Sequence, residues 1–139
     1  MKIQKLISKL EKHHKKKLDL SLGRTFNLLK KLGDPQDKLK NVITVVGTNA
    51  KASMCYSLKS ILNQAGHKTN LYTSPHLLSY TERFVFEDKE INEEDLIELL
   101  TDVEKILGDD NATLFEILTC AFLKYAENFK DNINIIEAG

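Results

Sequence analysis

The stretch Val42-Ile43-Thr44-Val45-Val46-Gly47-Thr48-Asn49-Ala50-Lys51-Ala52-Ser53 decides the fold. Val42 to Val46 is β-branched throughout and apolar except at Thr44, the pattern of a strand covered on both faces in a parallel sheet. Gly47 breaks it, and from Ser53 onward Met54, Leu58, Ile61, Leu62 and Ala65 recur at helical spacing until Gly66 supplies a stop. A loop between a buried strand and a helix offers backbone N–H groups and the positive helix end to an anion. Lys51 is placed to reach terminal phosphates, and the Ser53 hydroxyl to contact a phosphate or its magnesium. The general pattern G-x-x-x-x-G-K-[ST] is not met, because the loop is shorter and lacks the glycine before lysine. The other reading is an ordinary strand-to-helix turn with Asn49 or Ser53 as helix cap.

Working outward, Ile3, Leu6, Ile7 and Leu10 predict a first helix, followed by the charge-rich run Glu11 to Lys17, a solvated helix end that could also touch anions. A second helix fits Leu22 to Leu32, with Gly33-Asp34-Pro35 as its stop. After Gly66 come a short strand around Asn70 to Tyr72, a loop from Thr73 to Thr81, and Arg83 to Phe86 with an Asp88-Lys89 turn that suggests a small hairpin. Asn92 precedes a helix opened by Glu93, Glu94 and Asp95 and ended near Gly108. Thr113 and Glu116 form a capping box for the next helix, and Ile133 to Ile136 is the last strand. Alternating strands and helices predict an α/β domain with a mainly parallel sheet flanked by helices. The segments divide into 1–40 as helical lead-in, 41–66 as phosphate-loop unit, 67–91 as loop and hairpin, and 92–139 as helices and final strand.

The composition sets further bounds. A chain of 139 residues, 42% hydrophobic and 29% charged, is a soluble globular chain with a core. Lys and Arg total 20 and Asp and Glu total 20, so there is no net field to recruit nucleic acid or an anionic membrane, and neither is an expected partner. Cys55 and Cys120 lie in apolar helical patterns without metal-ligand spacing, which predicts buried free thiols in a reducing cytoplasm. No run approaches the roughly 20 apolar residues of a membrane span. The chain stops at Glu137-Ala138-Gly139 directly after a strand, which predicts an unprotected sheet edge and a portion of a longer protein.

The loop, the run Tyr72-Thr73-Ser74-Pro75-His76-Leu77, Thr81-Glu82-Arg83-Phe84 and the closing Ile135-Ile136-Glu137-Ala138-Gly139 together resemble folylpolyglutamate synthase/dihydrofolate synthase, of the Mur ligase superfamily. The lead-in Leu22-Gly23-Arg24 through Leu32-Gly33-Asp34-Pro35 to Lys40 matches as well. The resemblance implies a P-loop NTPase-like fold, the Mur ligase central domain, here incomplete and without the carboxy-terminal domain. It implies an ATP-dependent ligase that joins L-glutamate to dihydropteroate or folyl-glutamate through an acyl phosphate, monomeric when full length, with this fragment alone inactive.

The family loop reads G-T-N-G-K-G-S, so Gly47, Thr48, Asn49, Lys51 and Ser53 match as ATP-binding residues, with Lys51 also catalytic. Ala50 and Ala52 stand where the family has glycine. If either position needs positive φ, alanine costs about 1–2 kcal/mol there. By the same resemblance Ser74 and Glu137 hold Mg2+, with a third ligand beyond Gly139, while Pro75, His76, Leu77 and Arg83 line the pterin-containing substrate. Read without the family, Arg83 is also a strand-edge arginine facing water, His76 a residue satisfying a loop carbonyl, and Glu137 a solubilising chain end. The implied cofactors are ATP and Mg2+.

Overall fold

The computed structural model describes residues 2–13 and 22–138, so the remainder of the Glu11 to Lys17 run and Gly139 lie outside the described residues. The chain divides into two compact units, Met1–Asp37 with Glu93–Tyr125, and Lys38–Asn92 with Ala126–Gly139.

The first unit is helical: α1 (Ile3–Leu10), α2 (Gly23–Lys31), α4 (Glu93–Leu107) and most of α5 (Leu114–Ala126). Leu6 and Leu10 of α1, and Leu96, Leu100 and Leu107 of α4, are buried at helical spacing, which seats α1 against α4. Glu104 is buried with them and accepts hydrogen bonds from Lys9 Nζ at 2.9 Å and His13 Nε2 at 3.2 Å. Burial alone would raise the Glu104 carboxyl, but these two partners outweigh it and hold the group below its ordinary value. The predicted capping box is formed: Glu116 N–H donates to Thr113 Oγ1 at 3.1 Å, and Thr113 N–H to Glu116 Oε2 at 2.7 Å. Arg24 adds a two-nitrogen contact to the same carboxylate at 3.1 and 3.2 Å, a role the local sequence did not announce.

The second unit holds the sheet. Its strands are β1 (Asn41–Val45), β2 (Thr69–Tyr72), β3 (Phe84–Phe86), β4 (Lys89–Glu90) and β5 (Ile133–Glu137), in spatial order β1-β5-β2-β3-β4. β1, β5 and β2 are parallel, and the predicted hairpin β3–β4 extends the sheet antiparallel. Glu87 and Asp88 turn the hairpin with φ of 49° and 68°, the left-handed pair of a tight hairpin turn. Helix α3 (Lys51–Gln64) covers one face, where Cys55 packs with Leu71, Val85 and Ile135 and with half-buried Leu58 and Leu62.

Register is fixed by amides on neighbouring strands. Asn70 of β2 lies opposite Asn134 of β5 and donates to its Oδ1 at 2.9 Å, while Asn132 Nδ2 donates to Asn70 Oδ1 at 3.0 Å. All three amides are buried. A one-residue slip of β5 would turn Asn134 toward α3 and Ile135 away from it, which burial forbids.

The sheet corrects one expectation. β1 is an edge strand hydrogen-bonded to β5 alone, and Val42 and Val46 are 46% and 72% exposed, so the apolar run is not covered on both faces here. Composition reported the strand's affinity for burial but not its place in the sheet order.

Candidate phosphate and metal site

Because β1, β5 and β2 are parallel, the segments leaving their carboxyl ends share one edge of the sheet, where open α/β sheets place ligands. Three groups of predicted residues meet this edge: the loop from Gly47 after β1, Glu137 closing β5, and Thr73-Ser74 after β2.

Gly47 has φ of 151°, which L side chains rarely adopt, while an added Cβ would meet nothing closer than 4.0 Å. Backbone conformation, not space, reserves the position for glycine. Thr48 and Asn49 are exposed. α3 begins at Lys51, earlier than the helical stripe suggests, and its N-cap is Ala50, with no side chain capping it. The alternative reading, with Asn49 or Ser53 as cap, is thus not realised, and the first N–H groups of α3 receive no side-chain oxygen from the cap residue. Lys51 Nζ folds back and donates to Gly47 O at 2.9 Å, which closes the loop on itself and sets the ammonium beside it.

The two alanines differ in kind. Ala50 sits at φ 58°, ψ 17°, in the left-handed region, whereas Ala52 lies within α3 with no positive φ. Ala50 thus carries the strain of an L residue in a glycine conformation, and Ala52 carries none.

Glu137 is buried, pairs in register with Val45, and accepts a hydrogen bond from Ser74 N–H through Oε2 at 2.9 Å. Ala138 N–H donates to Val45 O at 2.9 Å, which ties this end of β5 to β1. Glu137 is therefore not a solvated chain end. Among the described residues no cationic side chain pairs with it. A buried carboxylate with one neutral N–H donor, next to a serine that carries a hydroxyl oxygen, is a donor set whose chemistry fits a hard divalent cation. No cluster of three or more His, Cys, Asp or Glu suited to a metal occurs among the described residues. Burial first, and the Glu137 carboxylate second, push the Cys55 thiol up to about 11, so it stays protonated near neutrality.

The Ser74–Pro75 peptide bond is cis, and Pro75 is exposed at the start of the following loop. Arg83 is not on a strand. It ends the short 3-10 turn Tyr80–Arg83, and its Nε donates to His76 Nδ1 at 2.9 Å while its guanidinium lies 5.2 Å over the Tyr80 ring. His76 thus accepts from a side chain and does not serve a loop carbonyl. Burial, and then the Arg83 charge, lower its tendency to protonate, against a smaller opposing effect from Glu82. Leu77 and Leu78 are 91% and 93% exposed.

Glu82 is the residue of this loop that sequence reasoning missed. Its carboxylate accepts the N–H groups of Leu77, Leu78 and Ser79 at 2.8, 2.7 and 2.6 Å. The Ser79-x-x-Glu82 spacing of a capping box was the available signal, and the structure forms that box. Among the described residues no hydrogen bond joins Lys51 or Glu137 to Arg83.

No family model matches the sequence. The dihydrofolate synthase/folylpolyglutamate synthase of Escherichia coli is 36% identical over 133 residues, which cover 96% of this chain and 31% of that protein. The structure of E. coli FolC in complex with DHPP and ADP superposes with a TM-score of 0.91 at 34% identity, covering 100% of this chain and 33% of that one. The bifunctional folylpolyglutamate synthase/dihydrofolate synthase of Yersinia pestis, complexed with AMPPNP and Mn ion, gives a TM-score of 0.91 at 32% identity, covering 100% and 34%. In sequence and fold the chain belongs with the folylpolyglutamate synthase/dihydrofolate synthase family. It spans about a third of the length of these relatives. Among the described residues, no helix is long and apolar enough to cross a membrane.

Proposed function

We propose that this chain supplies the nucleotide-binding part of an ATP-dependent carbon–nitrogen ligase that adds L-glutamate to dihydropteroate or a folyl-glutamate, acting in the cytoplasm. The observation that carries this reading is the convergence of the Gly47–Lys51 loop with buried Glu137 and half-buried Ser74 at the carboxyl ends of three parallel strands. In the reaction a substrate carboxylate takes the γ-phosphoryl group of ATP, and the amine of glutamate displaces phosphate from the acyl phosphate. That chemistry depends on positioning and charge neutralisation, with no protein nucleophile.

The loop N–H groups from Gly47 to Ser53 donate to phosphate oxygens, and Lys51 exchanges its bond to Gly47 O for a phosphate, adding a positive charge where negative charge collects. Ser74 and Glu137 would hold magnesium, which screens the phosphate oxygens. Pro75, His76, Leu77 and Arg83 line the pterin-bearing substrate. Cys55, protonated and buried, takes no part.

The test is titration of the chain with AMPPNP and Mg2+, for the parent and for Lys51→Ala and Glu137→Gln. Saturable binding weakened at least ten-fold by each change supports the reading. Absence of nucleotide binding, or binding indifferent to Lys51, overturns it. A second reading, binding without turnover, is favoured by the left-handed Ala50 in the phosphate loop. Folate- and glutamate-dependent ATP hydrolysis by the protein decides between them, and measurable turnover eliminates the second.

A further inference from the structure

We propose that Glu82 is a positioning residue that fixes the segment Leu77-Leu78-Ser79, so that two exposed leucines meet the flat heteroaromatic ring of the pterin-type substrate. This rests on the substrate reading of the loop given above. An exposed apolar pair on a mobile loop would lose conformational freedom on binding, which weakens affinity, whereas one already held in place loses little.

Glu82 takes the N–H of three successive residues, one through Oε2 and two through Oε1. Arg83, the next residue, holds the preceding loop residue through His76 Nδ1 at 2.9 Å. Four consecutive loop residues, 76 to 79, are thus tied to two consecutive residues of the 3-10 turn. That turn is itself anchored, because Thr81 Oγ1 lies 3.1 Å from Glu90 Oε2 of β4 and Thr73 N–H donates to Arg83 O at 3.3 Å. The backbone is fixed from below while the leucine side chains remain 91% and 93% exposed. A carboxylate is suited to the task because it is acceptor-only and offers both oxygens, so it can satisfy three converging donors at once.

The experiment compares parent, Glu82→Ala and Glu82→Gln by titration with dihydropteroate, with Mg2+-AMPPNP titration as control and amide hydrogen exchange at Leu77, Leu78 and Ser79. Glu82→Ala is expected to weaken dihydropteroate at least ten-fold, leave AMPPNP affinity unchanged and speed exchange at the three amides. Glu82→Gln, which keeps one carbonyl acceptor, is expected to fall between. A general loss of stability would weaken both ligands alike and overturn the proposal. Dihydropteroate affinity equal to the parent's in Glu82→Ala also overturns it, while leaving the substrate reading intact. A parent that binds AMPPNP but not dihydropteroate overturns the substrate reading and this proposal with it.

Discussion

Replacing Ala50 by glycine is expected to stabilise the protein, an uncommon outcome for a glycine introduced beside a helix. Ala50 has φ 58° and ψ 17° at the N-cap of α3. An L residue in that region is disfavoured by about 1–2 kcal/mol relative to glycine. Against this, glycine gains unfolded-state freedom that costs about 0.4–1 kcal/mol. The difference centres on a net gain of about 0.8 kcal/mol, or about 3 °C in melting temperature for a chain of this size. Ala52 is the internal control, because it lies within α3 with no positive φ. Glycine there should cost up to about 1 kcal/mol through helix propensity alone. The assay is urea unfolding followed by far-UV circular dichroism, with the labelling rate of buried Cys55 reporting the α3 unit. Opposite signs for the two variants are expected. If Ala50→Gly destabilises the protein as much as Ala52→Gly does, the strain assigned to Ala50 is absent.

Four other outcomes are expected. Asn70→Ala should cost about 1–3 kcal/mol in urea unfolding, because it removes the donor to buried Asn134 Oδ1 and one of the two acceptors of Asn132 Nδ2. Glu104 has a folded-state pKa held below its ordinary 4.5, so its contribution is present above that value and is lost as pH falls through the lower folded value; Glu104→Gln should flatten the acid limb of the stability profile. Glu137→Gln should abolish the Mg2+ dependence of AMPPNP binding while folding persists, since the amide oxygen still accepts from Ser74 N–H. Cys55 and Cys120, with thiols pushed up to about 11 and about 12 chiefly by burial, should resist alkylation at pH 8 until urea unfolds the chain.

The strand–loop–helix unit around Gly47 was legible because its parts are local: a β-branched run, a glycine that breaks it, and a helical stripe after it. The same holds for the Thr113–Glu116 box and the β3–β4 hairpin, which rest on spacings of a few residues. The resemblance to the ligase family was likewise carried by short motifs in order, and the relatives bear it out.

The sequence by itself thus determined most of the elements and the family, and it marked Lys51 and Glu137 as the residues to test. Tertiary structure alone decided that β1 lies at a sheet edge, since strand order depends on which edges pair and not on composition. It decided that Glu137 meets Ser74 across 63 residues, because the parallel register of β5 beside β2 brings their ends together. It also decided which of two alanines is strained. They are two residues apart in sequence, but the handedness of a single residue follows from how strand and helix must join, and only Ala50 stands at that junction.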